Sequence, residues 1–308
     1  MNKIDINFKN LIASLKVLSP EMIFNNIKTS YLNIDEFNKQ AIERFLAQFN
    51  YWGKLKYEES EFEELKLRAE VLKNHADDFD NLYNNLGDYR SKKVLYGILN
   101  YWYNSDFNSL ATAYEGNYSQ YFDLDLIKPN KEEVYVDVGA YIGDTILNYI
   151  NTFGIYKKIY AYEITESSIK LMQNTLKDFS NIVIKKKALS DINGEFYINS
   201  NSTSASANTV ADSGEEIVKS VTLDDDVKEK VTLIKMDIEG SEERAILGAI
   251  NHIKNDTPKL LISVYHNHND LWKLPKLINT INSNYKYYLR YFGNRYYPTE
   301  VVLIALPK

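Results

Sequence analysis

The sequence predicts an α/β protein, a mostly parallel, doubly wound sheet preceded by an α-helical region. Three observations carry this expectation. Beyond residue 130, apolar runs of strand length alternate with helical periodicities. Before residue 125 the patterns are helical only. The last two strand-like runs, 285–291 and 301–306, lie too close together for a crossover helix and read as an antiparallel hairpin. The chain is therefore divided into a helical region, 1–110, and an α/β domain, 111–308.

In the helical region, Asp35 should cap a helix carrying Phe37, Ala41, Phe45 and Phe49 about one turn apart. Ser60-Glu-Phe-Glu63 has capping-box form, with Ser60 as N-cap and Glu63 at N3. The helix it opens would turn Phe62, Leu65, Ala69 and Leu72 inward. The acidic run 58–64 then reads as a solvated helix start at a favourable dipole end. Residues 91–104 form another buried helix.

In the α/β part, strands are expected over 134–138, 158–162, 182–189, 194–198, 231–236, 260–264, 285–291 and 301–306. Helices fall over 144–152, 166–179 and 242–253.

Bulk properties narrow the function classes. A net charge of −6 and a pI near 5.4 argue against a nucleic-acid partner, which normally meets a basic face. No apolar run approaches the roughly 20 residues of a bilayer span, and the N-terminus has no signal-type h-region. With no cysteine there are no disulfides or thiolate metal sites, which suits a reducing cytoplasm.

The strand over 134–138 runs into Asp137-x-Gly139-x-x-x-Gly143 and then a helix. In an open α/β sheet, such a junction is where a nucleotide-like cofactor sits. A dinucleotide fold places a glycine two residues after the first, so that backbone can approach pyrophosphate. Here that position is Tyr141, which would hinder a diphosphate. A cofactor with an amino acid in its place fits better, and S-adenosylmethionine is the candidate. Asp137 could accept from its ammonium group, with amides near Gly139 and Gly143 on its carboxylate.

Glu163 closes the next strand and suits the vicinal hydroxyls of a ribose. Asp237 ends the buried strand 231–236 inside Ile234-Lys-Met-Asp-Ile-Glu-Gly-Ser-Glu242, where charge is costly to bury without a partner or ligand. Asp237 and Glu239 are candidate catalytic groups, while Lys235, on the same strand parity as Asp237, is equally readable as a plain buried-stem lysine. His266 in Tyr265-His-Asn-His-Asn-Asp270 is the better placed proton acceptor, and His268 reads as loop. His75 and His252 sit in helical patterns and read as structural. Asp237, Glu239 and His266 are chemically able to ligate a metal, but nothing in their spacing demands one. Ser190 and Asp191 would frame the adenine.

Taken together, Val136-Asp-Val-Gly-Ala-Tyr-Ile-Gly-Asp144, Glu163, Val221-Thr-Leu-Asp224 and the Lys235–Glu242 signature resemble the FkbM family of S-adenosylmethionine-dependent methyltransferases over roughly residues 115–306. The resemblance implies a class I, Rossmann-like fold with a mostly parallel seven-stranded sheet and an antiparallel terminal hairpin. It also implies O-methylation, often of a sugar or secondary metabolite. Tyr141 stands where the family's first motif commonly has Asn. The stretch Thr203-Ser-Ala-Ser206 resembles a family loop over the active site, and Gly116–Asp123 resembles the approach to the first strand, with Gln120 and Tyr121 over the cofactor.

Two other readings stay open: a nicotinamide-dependent oxidoreductase on a related fold, and a non-catalytic S-adenosylmethionine-binding or scaffold module. Residues 1–110 could serve as a lid, a substrate platform or a homodimer interface. The partner expected is a small-molecule or carbohydrate acceptor.

Overall fold

The computed structural model describes residues 2–49, 51–199, 209–211 and 216–308. Seven strands form the main sheet: β1 (Val134–Val138), β2 (Lys158–Glu163), β3 (Ile182–Lys186), β4 (Leu233–Met236), β5 (Lys259–Ser263), β6 (Tyr285–Tyr291) and β7 (Val301–Pro307). Their order is β6-β7-β5-β4-β1-β2-β3. The pairs β1–β2, β2–β3, β1–β4 and β4–β5 are all parallel. Every residue of β1 and β4 is buried, as expected of central parallel strands covered on both faces. Strand order reverses between β1 and β4, the switch point at which such sheets open a crevice. This is the Rossmann-like class I arrangement that the sequence predicts.

Two compact units are distinguished: residues 1–117 with 264–277 and 286–303, and residues 118–263 with 278–285 and 304–308. The first contains the helices Lys3–Val17, Pro20–Leu32, Glu36–Ala47, Glu63–Asn74, Ala76–Asn85, Tyr89–Asn104 and Phe107–Ala113.

Three local expectations in this unit need correction. Asp35 does cap Glu36–Ala47, accepting from the Asn38 N–H, but the buried face is Ile42 and Leu46, and Phe37 is 68% exposed. Ser60 is not an N-cap: it takes a left-handed φ of 57° in the turn that pairs Leu55–Lys56 with Glu61–Phe62. The helix starts at Glu63, whose Oε2 instead accepts from the Lys54 N–H. Its inward face, with Leu65, Ala69 and Leu72, is the expected one. Finally, the acidic run is not all solvated. Glu64 is fully buried because Arg68, one turn on, grips both its oxygens.

In the second unit, the expected strand over 182–189 divides at Lys187. Ile182–Lys186 joins the main sheet, while Ala188–Leu189 joins a four-stranded sheet with Glu216–Val221, Gly194–Asn199 and Thr209–Ala211. The helix expected over 242–253 ends at Leu247, before a π-helical turn at His252–Asp256. Gly248 follows the helix because a Cβ there would meet the Ser190 carbonyl at 1.9 Å. His252 is structural, bonding Asp256 and the Val227 carbonyl. The stretch Thr203–Ser206 lies outside the described residues. Among the described residues, no helix is long and apolar enough to cross a membrane.

Candidate functional site

β1 delivers Asp137 to the sheet's centre, where it is completely buried. The Lys235 ammonium on neighbouring β4 stands 3.1 Å from Asp137 Oδ1, and the Tyr135 hydroxyl donates to Oδ2 at 2.9 Å. Burial pushes the Asp137 carboxyl above its usual range, against the pull of Lys235. Burial also opposes charge on Lys235, but Asp137 and then Asp237 hold it as the ammonium. Lys235 Nζ donates as well to the Gly139 carbonyl at 2.8 Å and lies 5.4 Å from the Tyr121 ring centroid. The lysine is therefore a clamp between β4 and the turn after β1.

That turn is tightly committed. Gly139 has φ +79°, and a Cβ there would fall 2.0 Å from the Asp237 carbonyl oxygen. The amides of Gly139 and Ala140 donate to the Tyr162 carbonyl, and that of Gly143 to the Ala140 carbonyl. The Tyr141 amide donates to Glu163 Oε2 at 2.9 Å. Gly143 (φ +81°) precedes the helix Asp144–Phe153, whose first amides have no intrahelical partner.

Glu163, at the tip of β2, is 8% exposed. Its Oε1 accepts from the amides of Ile164 and Thr165, both at 2.8 Å. Burial raises its pKa, with the Thr165, Ile164 and Tyr141 amides pulling the other way. The Thr165 hydroxyl bonds it as well, so the roughly four acceptor positions of the carboxylate already have partners within the chain.

From β4, Asp237 follows Met236 and donates its amide to the Val138 carbonyl. The Tyr121 hydroxyl donates to Asp237 Oδ2 at 2.7 Å and lies 3.1 Å from Ser263 Oγ. The buried carboxylate of Glu242 accepts from the Ile238 amide. Three non-glycine residues here adopt left-handed backbone: Tyr121 (φ 72°), Tyr141 (φ 46°) and Glu239 (φ 56°). Such conformations are held only where the surroundings over-determine them, and they concentrate at functional sites.

Gly139, Tyr141, Glu163, Asp237 and Glu239 line one cleft of about 590 Å³, part of it continuous with solvent. Asp137 and Gly143 are not on its wall; they fix the turn from behind. Tyr121 likewise stands behind Asp237, and Gln120 is half-buried outside the lining. Ser190 and Asp191 also lie off the wall. Ser190 donates to Asp191, which pairs with Arg244 at 2.8 Å, and Arg244 lowers the Asp191 pKa. The wall there is Lys187, Ala188 and Leu189, together with Tyr162 and Ile164. These were not singled out from sequence; their place at the ends of β2 and β3 was the available signal.

His266 belongs to the first unit, 2% exposed, with the rings of Tyr265 and Tyr51 against it. His268 is on a loop as expected, but it is buried, its Nε2 3.1 Å from Glu64 Oε1. His75 stacks on Trp272 and bonds Asp78.

The Methyltransferase FkbM domain matches residues 137–296. The methyltransferase FkbM from Methylobacillus flagellatus KT is similar in structure, with a TM-score of 0.66 and 24% identity. That match covers 77% of this chain and 62% of the other, so the chain spans less than two thirds of that relative's length. An rRNA methylase from Streptococcus thermophilus gives a TM-score of 0.38 at 15% identity, covering 58% of this chain and 89% of that one. A Streptococcus mutans protein in complex with SAH gives 0.38 at 13%, covering 60% and 92%. No curated protein matches the sequence significantly.

Proposed function

The chain belongs to the FkbM methyltransferase family, and on that premise we propose that it is an S-adenosylmethionine-dependent O-methyltransferase acting on a hydroxyl of a sugar, glycan precursor or secondary metabolite. One observation carries the reading. The turn at 139–141, the tip of β2 and the segment 237–241 line a single cleft where the strand order reverses.

S-adenosylmethionine supplies a methyl group on a sulfonium centre that is already a good leaving group. The chain's own residues have four tasks in this reading. Glu163 accepts from a ribose hydroxyl in competition with the hydroxyl of Thr165. The first amides of the helix Asp144–Phe153 face the carboxylate of the amino-acid part. Leu189 and Ile164 offer apolar wall to the base. Asp237, its carboxylate fixed by Tyr121, or else His266, orients the acceptor hydroxyl and takes its proton, with Glu239 in support. The acceptor oxygen must be held about 3–3.5 Å from the methyl carbon.

The test is a comparison of ligands by thermal shift. S-adenosylhomocysteine should raise the melting temperature and NADH should not. The reverse result would make the protein an oxidoreductase. Binding of S-adenosylhomocysteine without methylation of any member of a broad hydroxylated panel would make it a binding module. Once an acceptor is found, Asp237→Asn and His266→Gln tell the two bases apart, since only loss of the true one removes turnover.

A further inference from the structure

The first unit holds a second recess, of about 530 Å³, with a different lining. The helix Glu63–Asn74 brings Glu70 and Asn74 to it, and His75, Asn267, His268 and Asn269 complete its polar wall. Glu70 and Asn74 are exposed, and their side chains bond to no other described residue. His75 is held flat by stacking on Trp272, with ring centroids 3.6 Å apart.

His268 is the buried member, and its hydrogen bonds fix what it shows to the recess. Its Nε2 lies 3.1 Å from both Glu64 Oε1 and the Tyr297 hydroxyl, while that hydroxyl donates to the same Glu64 oxygen at 2.8 Å. Arg68 donates to both Glu64 oxygens at 2.6 and 2.8 Å and holds the carboxylate ionised. An ionised carboxylate only accepts, so Nε2 carries a proton toward it, and Nδ1 is the ring nitrogen with no bond to a described residue. The recess thus presents an imidazole nitrogen, a carboxylate and carboxamides that both donate and accept. Phosphates and carboxylates would meet the Glu70 carboxylate. A ligand with several hydroxyls, each donor and acceptor, satisfies all of these groups.

We propose that this recess binds a neutral, hydroxyl-rich ligand of the monosaccharide class, with one hydroxyl bonded to His268 Nδ1. The assignment rests on the recess alone and stands whether or not the cleft of the second unit takes S-adenosylmethionine.

The full chain is titrated, by saturation-transfer NMR and calorimetry, with a panel of neutral methyl hexopyranosides, with glucuronate as anion and with spermidine as cation. At least one hexopyranoside should bind saturably, with a Kd on the order of millimolar. Asn74→Ala, an exposed substitution that leaves the core untouched, should weaken it by about tenfold. His268→Gln, where it folds, should do the same. The S-adenosylhomocysteine thermal shift, measured on the same Asn74→Ala protein, should equal that of the parent, so a failure at the cleft is visible separately. Absence of saturable hexopyranoside binding overturns the proposal. So does binding that Asn74→Ala leaves unchanged, and so does a preference for spermidine that Glu70→Gln abolishes.

Discussion

The carbonyl oxygen of Asp237 lies 2.0 Å from where a Cβ on Gly139 would stand. The turns after β1 and β4 therefore meet backbone to backbone at the switch point, and the glycine of one motif is required by the other. Gly139→Ala must displace one of the two turns and also strain a φ of +79°. The expected loss is about 3 kcal/mol or more by chemical denaturation, with loss of S-adenosylhomocysteine binding. A variant that keeps both parent-like would disprove this coupling.

Removing the Lys235 clamp should be worse than removing the pair. Lys235→Met leaves Asp137 buried without its cation, a change that typically costs about 3–5 kcal/mol. The double variant Lys235→Met with Asp137→Asn removes both charges and should recover part of that loss. A double-variant stability equal to the sum of the single losses would show that the two groups act independently.

How far these features could be read from the chain depended on their range. The residues 134–138 were legible because a parallel strand buried on both faces reads as a near-continuous apolar run, broken here only by Asp137. The cleft residues were legible because parallel strands end at the same sheet edge, so Gly139, Glu163 and Asp237 had to come together. Ser60 was misread because the Ser-x-x-Glu spacing is blind to the pairing of Leu55–Lys56 with Glu61–Phe62. Glu64 was misread as solvated because a run of acids does not say which one turns inward. The signal was there, however, in Arg68 four residues on. The helix Asp270–Ile281 was not anticipated at all, with Pro275 inside it masking the periodicity.

Acid should loosen the first unit through Glu64. Burial alone would raise this carboxyl, but Arg68 and then His268 outweigh it and pull the pKa down to about 2 from 4.5. A depressed native pKa means that the unfolded chain takes up the proton first. The contribution is therefore complete above pH 4.5 and drains away as pH falls toward 2. Melting temperature followed from pH 6 down to pH 3 should fall more steeply for the parent than for Glu64→Gln. Parallel curves would remove Glu64 from the account.

Tyr121→Phe keeps the ring and deletes only the hydroxyl that touches Asp237 and Ser263. Methyl transfer to an active acceptor should slow by about tenfold, the worth of one positioning hydrogen bond. The Kd for S-adenosylhomocysteine should stay within about twofold. A loss of affinity with unchanged turnover would instead place Tyr121 on the donor side.

Glu163 carries one more consequence. Three amides of its own chain already occupy its carboxylate, including that of Tyr141 in the neighbouring turn. It rivets the tips of β1 and β2 whatever else it binds, so substituting it disturbs the turn as well. Editing the ligand avoids this: donor analogues made as the 2′-deoxy and 3′-deoxy forms leave the turn intact, and at least one of them should lose affinity if Glu163 holds the ribose.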